Sequence, residues 1–280
     1  MTPVQQRAAV TQLTTQHPLS QRRACRLVGA DRSTMRYQVR PVPSAPVIAE
    51  RLLALAALRP RFGSRRLGVL LRREGHVVNH KRVYRLYRAA GLALRRKRRK
   101  RVASATQVIP PAPTRVNEGW AMDFVHDTLA TGRRIRMLTV VDRYTRESPT
   151  IVVDTSVSGR RVVRELERMC AQRGVPTRIT VDNGPEFAGK ALDAWAYARS
   201  VQRQFIEPGK PMHNGSIERF NGRLRAACLN HHWFRSLDDA RETIEAWRVD
   251  YNDHRPHSAL RQHTPTAYAQ MMEQPLITNG

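Results

Sequence analysis

Three carboxylates in this 280-residue chain stand where their chemistry needs explaining. Asp123 lies in Trp120-Ala-Met-Asp-Phe124, an apolar run that reads as a strand, where an unpaired carboxylate is costly and calls for a cation. Asp182 ends Ile179-Thr-Val181 and opens Asp182-Asn-Gly-Pro-Glu-Phe187, a turn at the carboxyl end of a strand, where open α/β sheets bind ligands. Glu218 falls in the first turn of a helix, within Asn214-Gly-Ser-Ile-Glu-Arg-Phe-Asn-Gly222. Taken singly, each acid reads as a helix cap or a surface ion pair. With the two strands adjacent and the helix packed across them, the three would converge as hard oxygen ligands for Mg²⁺ or Mn²⁺. Two such ions about 3.5 to 4 Å apart suit phosphoryl transfer, because the attacking and leaving oxygens both gain negative charge.

The elements that must position these acids follow from periodicity. Gly119 to Val125 and Arg134 to Val141 are strand-like runs joined through Thr131-Gly132, and Ser148 to Val153 is a third, an antiparallel meander. Ser158 to Cys170 reads as a helix, Arg178 to Val181 as a strand, Pro185 to Ser200 as a helix, Val201 to Ile206 as a strand and Ser216 to Asn230 as a helix. That order predicts an α/β domain, a mixed five-stranded sheet with flanking helices. A helix over Leu237 to Tyr251 and an irregular tail complete the chain.

Upstream the pattern is all helical. Residues Val4 to Tyr37 read as helix, then helix, turn, helix, with Ser20 as a cap, a break at Gly29 and Arg32 and Arg36 on the last helix. After the Pro41 to Pro46 break a second unit of three helices follows, the third bearing Lys81, Arg82, Arg85 and Arg88 around an apolar stripe. The first basic face suits a DNA groove and solvent equally; for the second, the neighbouring charge favours DNA contact over a solvated face. The run Arg95, Arg96, Lys97, Arg98, Arg99, Lys100 and Arg101 precedes Pro110-Pro-Ala-Pro113 and reads as a linker that phosphates could order. The expected division is 1–40 and 46–94 as helix-turn-helix-like DNA-binding modules, 95–113 as linker, 114–235 as catalytic core, and 236–280 as terminal helix and tail.

Charge identifies the partner class. The chain carries 49 Lys and Arg against 23 Asp and Glu, a net of +26, and residues 1–110 hold 25 of the cations with only three acids. A polyanion is the plainest explanation, and nucleic acid leads a membrane surface because no long apolar run or basic amphipathic anchor accompanies the charge. Asn183, Lys210, Asn214, Arg219, Asn221 and Arg225, near the three acids in sequence, are candidates for DNA phosphate contacts, with an ordinary surface role as the alternative. His213, His254 and His257 are further candidates. Asp127 and Asp142 read as hydrogen-bonding or ion-pairing groups, and Glu186 as stabilising a helix start. Cys25, Cys170 and Cys228 are too scattered for a disulfide framework or zinc site, and His76 with His80 lacks further ligands. The cysteine usage fits a reducing cytoplasm, and no secretory or membrane segment is evident.

Several stretches together resemble one family. The 35 residues between Asp182 and Glu218, the 58 between Asp123 and Asp182, Val181 to Phe187, Pro208-Gly-Lys-Pro211, Asn214 to Arg225, Tyr251 to Ser258 and Asn79 to Arg88 are similar to insertion-sequence transposases of the Asp-Asp-Glu type, in the retroviral-integrase superfamily. The resemblance covers most of the chain and is closest to the group made from a second, overlapping reading frame. It implies a ribonuclease-H-like core, a metal-binding catalytic triad of Asp123, Asp182 and Glu218, and two Mg²⁺ or Mn²⁺ ions. It further implies cleavage and joining of DNA at the terminal repeats and target, a homo-multimer on DNA, the upstream-frame DNA-binding protein as a possible partner, and a place in the bacterial cytoplasm with the nucleoid. Ser64 and Gly215-Ser216 depart from the residues usual in the family, away from the triad. The rival readings are a non-catalytic DNA-binding regulator of transposition and a hydrolytic nuclease of the same fold.

Overall fold

A computed structural model describes residues 1–37, 45–94, 112–206 and 215–273. Arg95 to Arg101, Lys210, His213 and Asn214, with most of the two Pro-rich segments, lie outside the described residues. The chain divides into two compact units, Met1–Arg51 and Leu52–Gly280.

In the first unit, α1 (Pro3–Gln16) starts at a capping box, where Thr2 and Gln5 satisfy each other's backbone N–H groups and Pro3 takes the first helical position. α2 (Gln21–Val28) is capped by Ser20 and stops at Gly29, whose φ of 66° is the left-handed conformation that glycine adopts without strain. α3 (Arg32–Arg36) follows. Val10, Ala24 and Cys25 form the small core, with Leu13, Val28, Ala30 and Met35 against it. Arg32 and Arg36 are exposed.

The second unit begins in the last turns of α4 (Ala45–Leu58) and continues through α5 (Ser64–Arg73) and α6 (His80–Ala89). Leu52, Leu55, Leu67, Leu71, Val83 and Tyr87 are buried, at the apolar spacing that the sequence shows. Lys81 and Arg85 are exposed and Arg82 is half-buried.

β1 (Gly119–Thr128), β2 (Arg134–Asp142), β3 (Ile151–Asp154), β4 (Arg178–Val181) and β5 (Gln202–Phe205) form one sheet in the order β3-β2-β1-β4-β5. β1 pairs antiparallel with β2, and β2 with β3, whereas β1, β4 and β5 run parallel. This is the mixed sheet of a ribonuclease-H-like core. The strand period of two sends alternate residues to two separate cores. Trp120, Met122, Leu138, Val140, Ile179 and Val181 pack against α7 (Gly159–Arg173), α8 (Pro185–Ala188) and α9 (Lys190–Ala198). Ala121, Val125, Ile135, Met137, Val141, Ile151 and Val153 pack against α10 (Gly215–Ala227) and α11 (Leu237–Asp253). Asp123, between Ala121 and Val125, therefore belongs to the α10 face.

Three expectations are corrected. The helix expected over Pro185 to Ser200 is two, α8 and α9, because Gly189 between them is extended, at φ −74° and ψ 152°. The third strand starts at Ile151 and not at Ser148, since the side-chain amide of Asn252 takes both the N–H and the C=O of Ser148, at 3.0 and 2.9 Å. The tail is not irregular: α12 (Pro265–Glu273) begins where the Thr264 hydroxyl accepts the Ala267 N–H, and Tyr268 packs its ring 5.6 Å from that of Tyr144. Thr264-Pro265 is itself a helix-start signal. Among the described residues, no helix is long and apolar enough to cross a membrane.

Candidate carboxylate site

Asp123 sits at the middle of β1, opposite Thr139 of β2. Its Oδ1 accepts the Phe124 N–H at 2.7 Å and its Oδ2 accepts from the side-chain amide of Asn221 at 2.8 Å. The fully buried Thr139 hydroxyl lies 2.9 Å from Asn221 Oδ1 and 3.0 Å from the Asp123 carbonyl oxygen; with one proton it donates to one at a time. Asn221 thus ties the helix that carries Glu218 to the strand that carries Asp123. Sequence reading placed Asn221 among DNA contacts, but its side chain is engaged inside the protein. A polar residue three after an acid on a helix was the available signal, since such residues share a face.

Asp182 follows β4, the parallel neighbour of β1, and its Oδ1 accepts the Gly184 N–H at 3.0 Å. A Cβ on Gly184 would stand 3.0 Å from that same Oδ1 and 3.4 Å from Glu186 Oε2, so a larger residue would press on both carboxylates. Glu218 is exposed in the first turn of α10. The pairing of β1 with β4 and the packing of α10 on β1 bring these acids into one electrostatic neighbourhood. Burial pushes the Asp123 carboxyl above its ordinary range; the Phe124 and Asn221 hydrogen bonds oppose this, and the charges of Asp182 and Glu218 add to it. Among the described residues, no three His, Cys, Asp or Glu side chains stand close enough to grip an ion as they are. The donor set still fits a hard divalent cation, because the partly buried Asp123 carboxylate, with two further carboxylates in its surroundings, is relieved by one.

A shallow cleft of about 250 Å³ opens beside Asp123, lined by Asp123, Phe124, Val125, His126, Asn221, Gly222 and Arg225. Arg225 donates to the His126 carbonyl at 3.1 Å and Asn183 to that of Ile206 at 3.3 Å, and both are exposed. Arg219 is exposed beside Gly215. Glu186 heads α8 and is ion-paired with Arg136, which holds its carboxyl below the usual range. The Arg136 guanidinium lies 3.7 Å from the centre of the Phe124 ring, and Phe124 stacks on Phe187, so Glu186 braces the flank of the site. Asp142 is fully buried and accepts the N–H groups of Asn117, Tyr144 and Thr145, which agrees with a hydrogen-bonding role. His257 is buried, at 5 % exposure, and does not present itself to a surface ligand as the sequence allowed.

Comparison with known proteins places the chain. Residues 113–211 and 199–265 match two families described as Integrase core domain, and residues 49–100 match one described as HTH-like domain. The insertion element IS407 uncharacterized 31.7 kDa protein of Burkholderia multivorans is 50% identical over 254 residues, 90% of this chain and 91% of its own length. The insertion element IS476 uncharacterized 39.2 kDa protein of Xanthomonas euvesicatoria is 45% identical over 270 residues, 96% of this chain and 78% of its own. Among solved structures, the HTLV-2 integrase catalytic core domain in complex with magnesium aligns with 55% of this chain and 97% of its own at 16% identity and a TM-score of 0.46, a distant likeness. By the extent of its identity to the insertion-element proteins, the chain belongs to their integrase-core superfamily, the transposase family that its motifs resemble.

Proposed function

We propose that the protein cuts and joins DNA strands at the ends of its own element, with Asp123, Asp182 and Glu218 holding two Mg²⁺ or Mn²⁺ ions. The observation that carries this is the partly buried Asp123 carboxylate, raised in pKa first by burial and further by the charges of Asp182 and Glu218. The reaction is in-line attack on a phosphodiester, first by water and then by the freed 3′-hydroxyl, so that the second step exchanges one phosphodiester for another. Bound metal would supply positive charge to the attacking and leaving oxygens. The chain's own residues orient the acids: Asn221 aims Asp123, and Gly184 leaves room for Asp182. DNA is held by the helices of 1–40 and 46–94, through Arg32, Arg36, Lys81, Arg82 and Arg85, with the 95–113 segment and its seven cations as linker. Arg219 and Arg225 contact phosphates next to the 114–235 core, and Asn183 is a weaker candidate because its amide already donates to a backbone carbonyl. Two ends must be held together, so the working form is a multimer on DNA.

Strand transfer of a labelled element-end duplex with Mg²⁺, wild type against Asp182→Asn, tests the reading. Joined products that vanish in the variant are expected. Cleaved but never joined DNA would identify a hydrolytic nuclease, and binding without either product would identify a regulator.

A further inference from the structure

Behind Asp123, on the α7–α9 face of the sheet, four side chains link β2, β1 and the segment after β4. The strand period places Arg136 and Leu138 of β2 on that face, because Ile135 and Met137 point into the α10 core. Arg136 stands opposite His126, so Phe124 is its diagonal neighbour on β1, and its guanidinium lies 3.7 Å from the centre of the Phe124 ring. The same ring stacks on Phe187 at 4.9 Å, with 26° between the planes. Phe187 is fully buried and follows Glu186 in α8, and Arg136 closes the circuit by pairing with the Glu186 carboxylate. The contacts thus cross from β2 over β1 to the turn after β4, in the order in which those strands lie.

Each end of this bridge is next to the donor that orients a carboxylate. Phe124 supplies the N–H that Asp123 Oδ1 accepts at 2.7 Å. Gly184, two residues before Glu186, supplies the N–H that Asp182 Oδ1 accepts at 3.0 Å. Asp182 Oδ1 and Glu186 Oε2 flank one point beside Gly184, at 3.0 and 3.4 Å from where its Cβ would stand. On its other side α8 abuts the start of α7, where a Cβ on Gly159 would come within 3.1 Å of the Glu186 carbonyl oxygen. The ion pair itself is incompletely satisfied. Arg136 Nη1 meets Glu186 Oε1, while Arg136 Nε and Glu186 Oε2 are buried without a hydrogen-bond partner among the described residues. Unpartnered buried atoms cost stability, and apolar residues of the same volume often hold a fold as well as a buried ion pair does. Stability is therefore a weak reason for this pair, and its geometry is the better one.

We propose that Glu186 and Arg136 are positioning residues for the reaction, holding Asp123 and Asp182 at the spacing and tilt that divalent ions require. The proposal rests on the metal-site reading above. Neither side chain touches the ions or DNA; both work through the peptides of Phe124 and Gly184, whose N–H groups orient the two carboxylates. The Phe124–Phe187 stack makes the two peptides move together, and the ion pair fixes the stack from the β2 side. Loss of a group that orients a metal ligand directly weakens metal binding by about 10- to 100-fold; one step further removed, a loss of about 3- to 10-fold is expected.

The test titrates Mg²⁺ in two readouts, the melting temperature of the DNA-free protein and the joining of a labelled element-end duplex. Wild type, Glu186→Gln, Arg136→Gln and Arg136→Lys are compared. Both Gln variants are expected to need about 3- to 10-fold more Mg²⁺ for the half-maximal effect in either readout. Joining at saturating Mg²⁺ and duplex affinity in EDTA should stay near wild type, as a general loss of structure would not allow. Arg136→Lys keeps the charge and loses the flat guanidinium over the Phe124 ring, so its midpoint should fall between. Unchanged Mg²⁺ midpoints in natively melting Gln variants overturn the proposal. Lower maximal joining with unchanged midpoints also overturns it, and assigns the pair to DNA. Where a Gln variant does not fold, an unchanged midpoint in Arg136→Lys is the overturning result. A wild type whose melting and joining both ignore Mg²⁺ and Mn²⁺ defeats the metal site itself, and the positioning role falls with it.

Discussion

The carboxylates on β1, β4 and α10 and the arginines around Tyr251 are opposite versions of one situation. In the first, Asp182 and Glu218 add negative charge around the partly buried Asp123; in the second, Arg223 adds positive charge around the buried Arg255. Neither arrangement helps folding, because like charges in a partly desolvated place raise the energy of the native state. Helix α10 belongs to both, bearing Glu218 and Asn221 toward one and Arg223 toward the other. The difference is in the scaffolding. Asp123 and Asp182 are oriented by hydrogen bonds from Asn221 and from backbone N–H groups, which leave lone pairs free for a ligand. Arg255, in the other, leans on the rings of Phe62 and Tyr251, and its Nε has no hydrogen-bond partner among the described residues.

The comparison breaks most visibly at Glu218. Glu218→Gln should retain duplex binding and lose strand transfer by at least about a hundred-fold, the size of effect seen when charge stabilisation of a transition state is removed; wild-type joining would end the metal-site assignment. Asn221→Ala should raise the Mg²⁺ concentration needed for half-maximal joining by roughly 10- to 100-fold, as expected when a residue that orients a ligand is lost. An unchanged Mg²⁺ requirement would make the Asn221 bond to Asp123 merely structural. Asp123→Asn, in contrast, should abolish any stabilisation of the protein by Mg²⁺, since the amide keeps the shape without the charge. A melting temperature that Mg²⁺ still raises in that variant as in wild type would show that Asp123 holds no metal.

At neutral pH the smallest effect is that of His257. Its folded pKa of about 2 lies below the unfolded value of 6.5, so the unfolded chain takes up a proton that the folded chain refuses. The stability that this histidine contributes is complete above pH 6.5 and is lost as pH falls from there toward 2, at about 1.4 kcal/mol per pH unit. Urea midpoints of wild type and His257→Phe should therefore diverge below pH 6.5, with the wild type falling faster. Parallel curves would mean that the folded protein accommodates the charged ring.

Much of this was legible in the amino-acid order, and the reason is locality. Helix starts at Ser20, Asn79 and Ser158 are side chain to backbone bonds across two or three residues, and the β1–β2 hairpin is an alternation turned by Thr131-Gly132. The acids stood out because an apolar run broken by a carboxylate, a strand end and a helix first turn are local features too. Asn221 did not, since its bond to Asp123 spans 98 residues, and nothing nearby separates it from a surface amide. Nor did Glu186, whose partner Arg136 is 50 residues away. The α12 helix was missed although Thr264-Pro265 announces it.

The chain by itself determined its family, its basic character, the alternation that buries both faces of the sheet and the acids worth suspecting, because each is written in composition or in spacing over a few residues. Only the tertiary structure decided which side chains are spoken for. Whether Asn221 faces DNA or Asp123, and whether Arg255 and His257 meet solvent or one another, depends on which distant segments pack together, and periodicity carries no information about that.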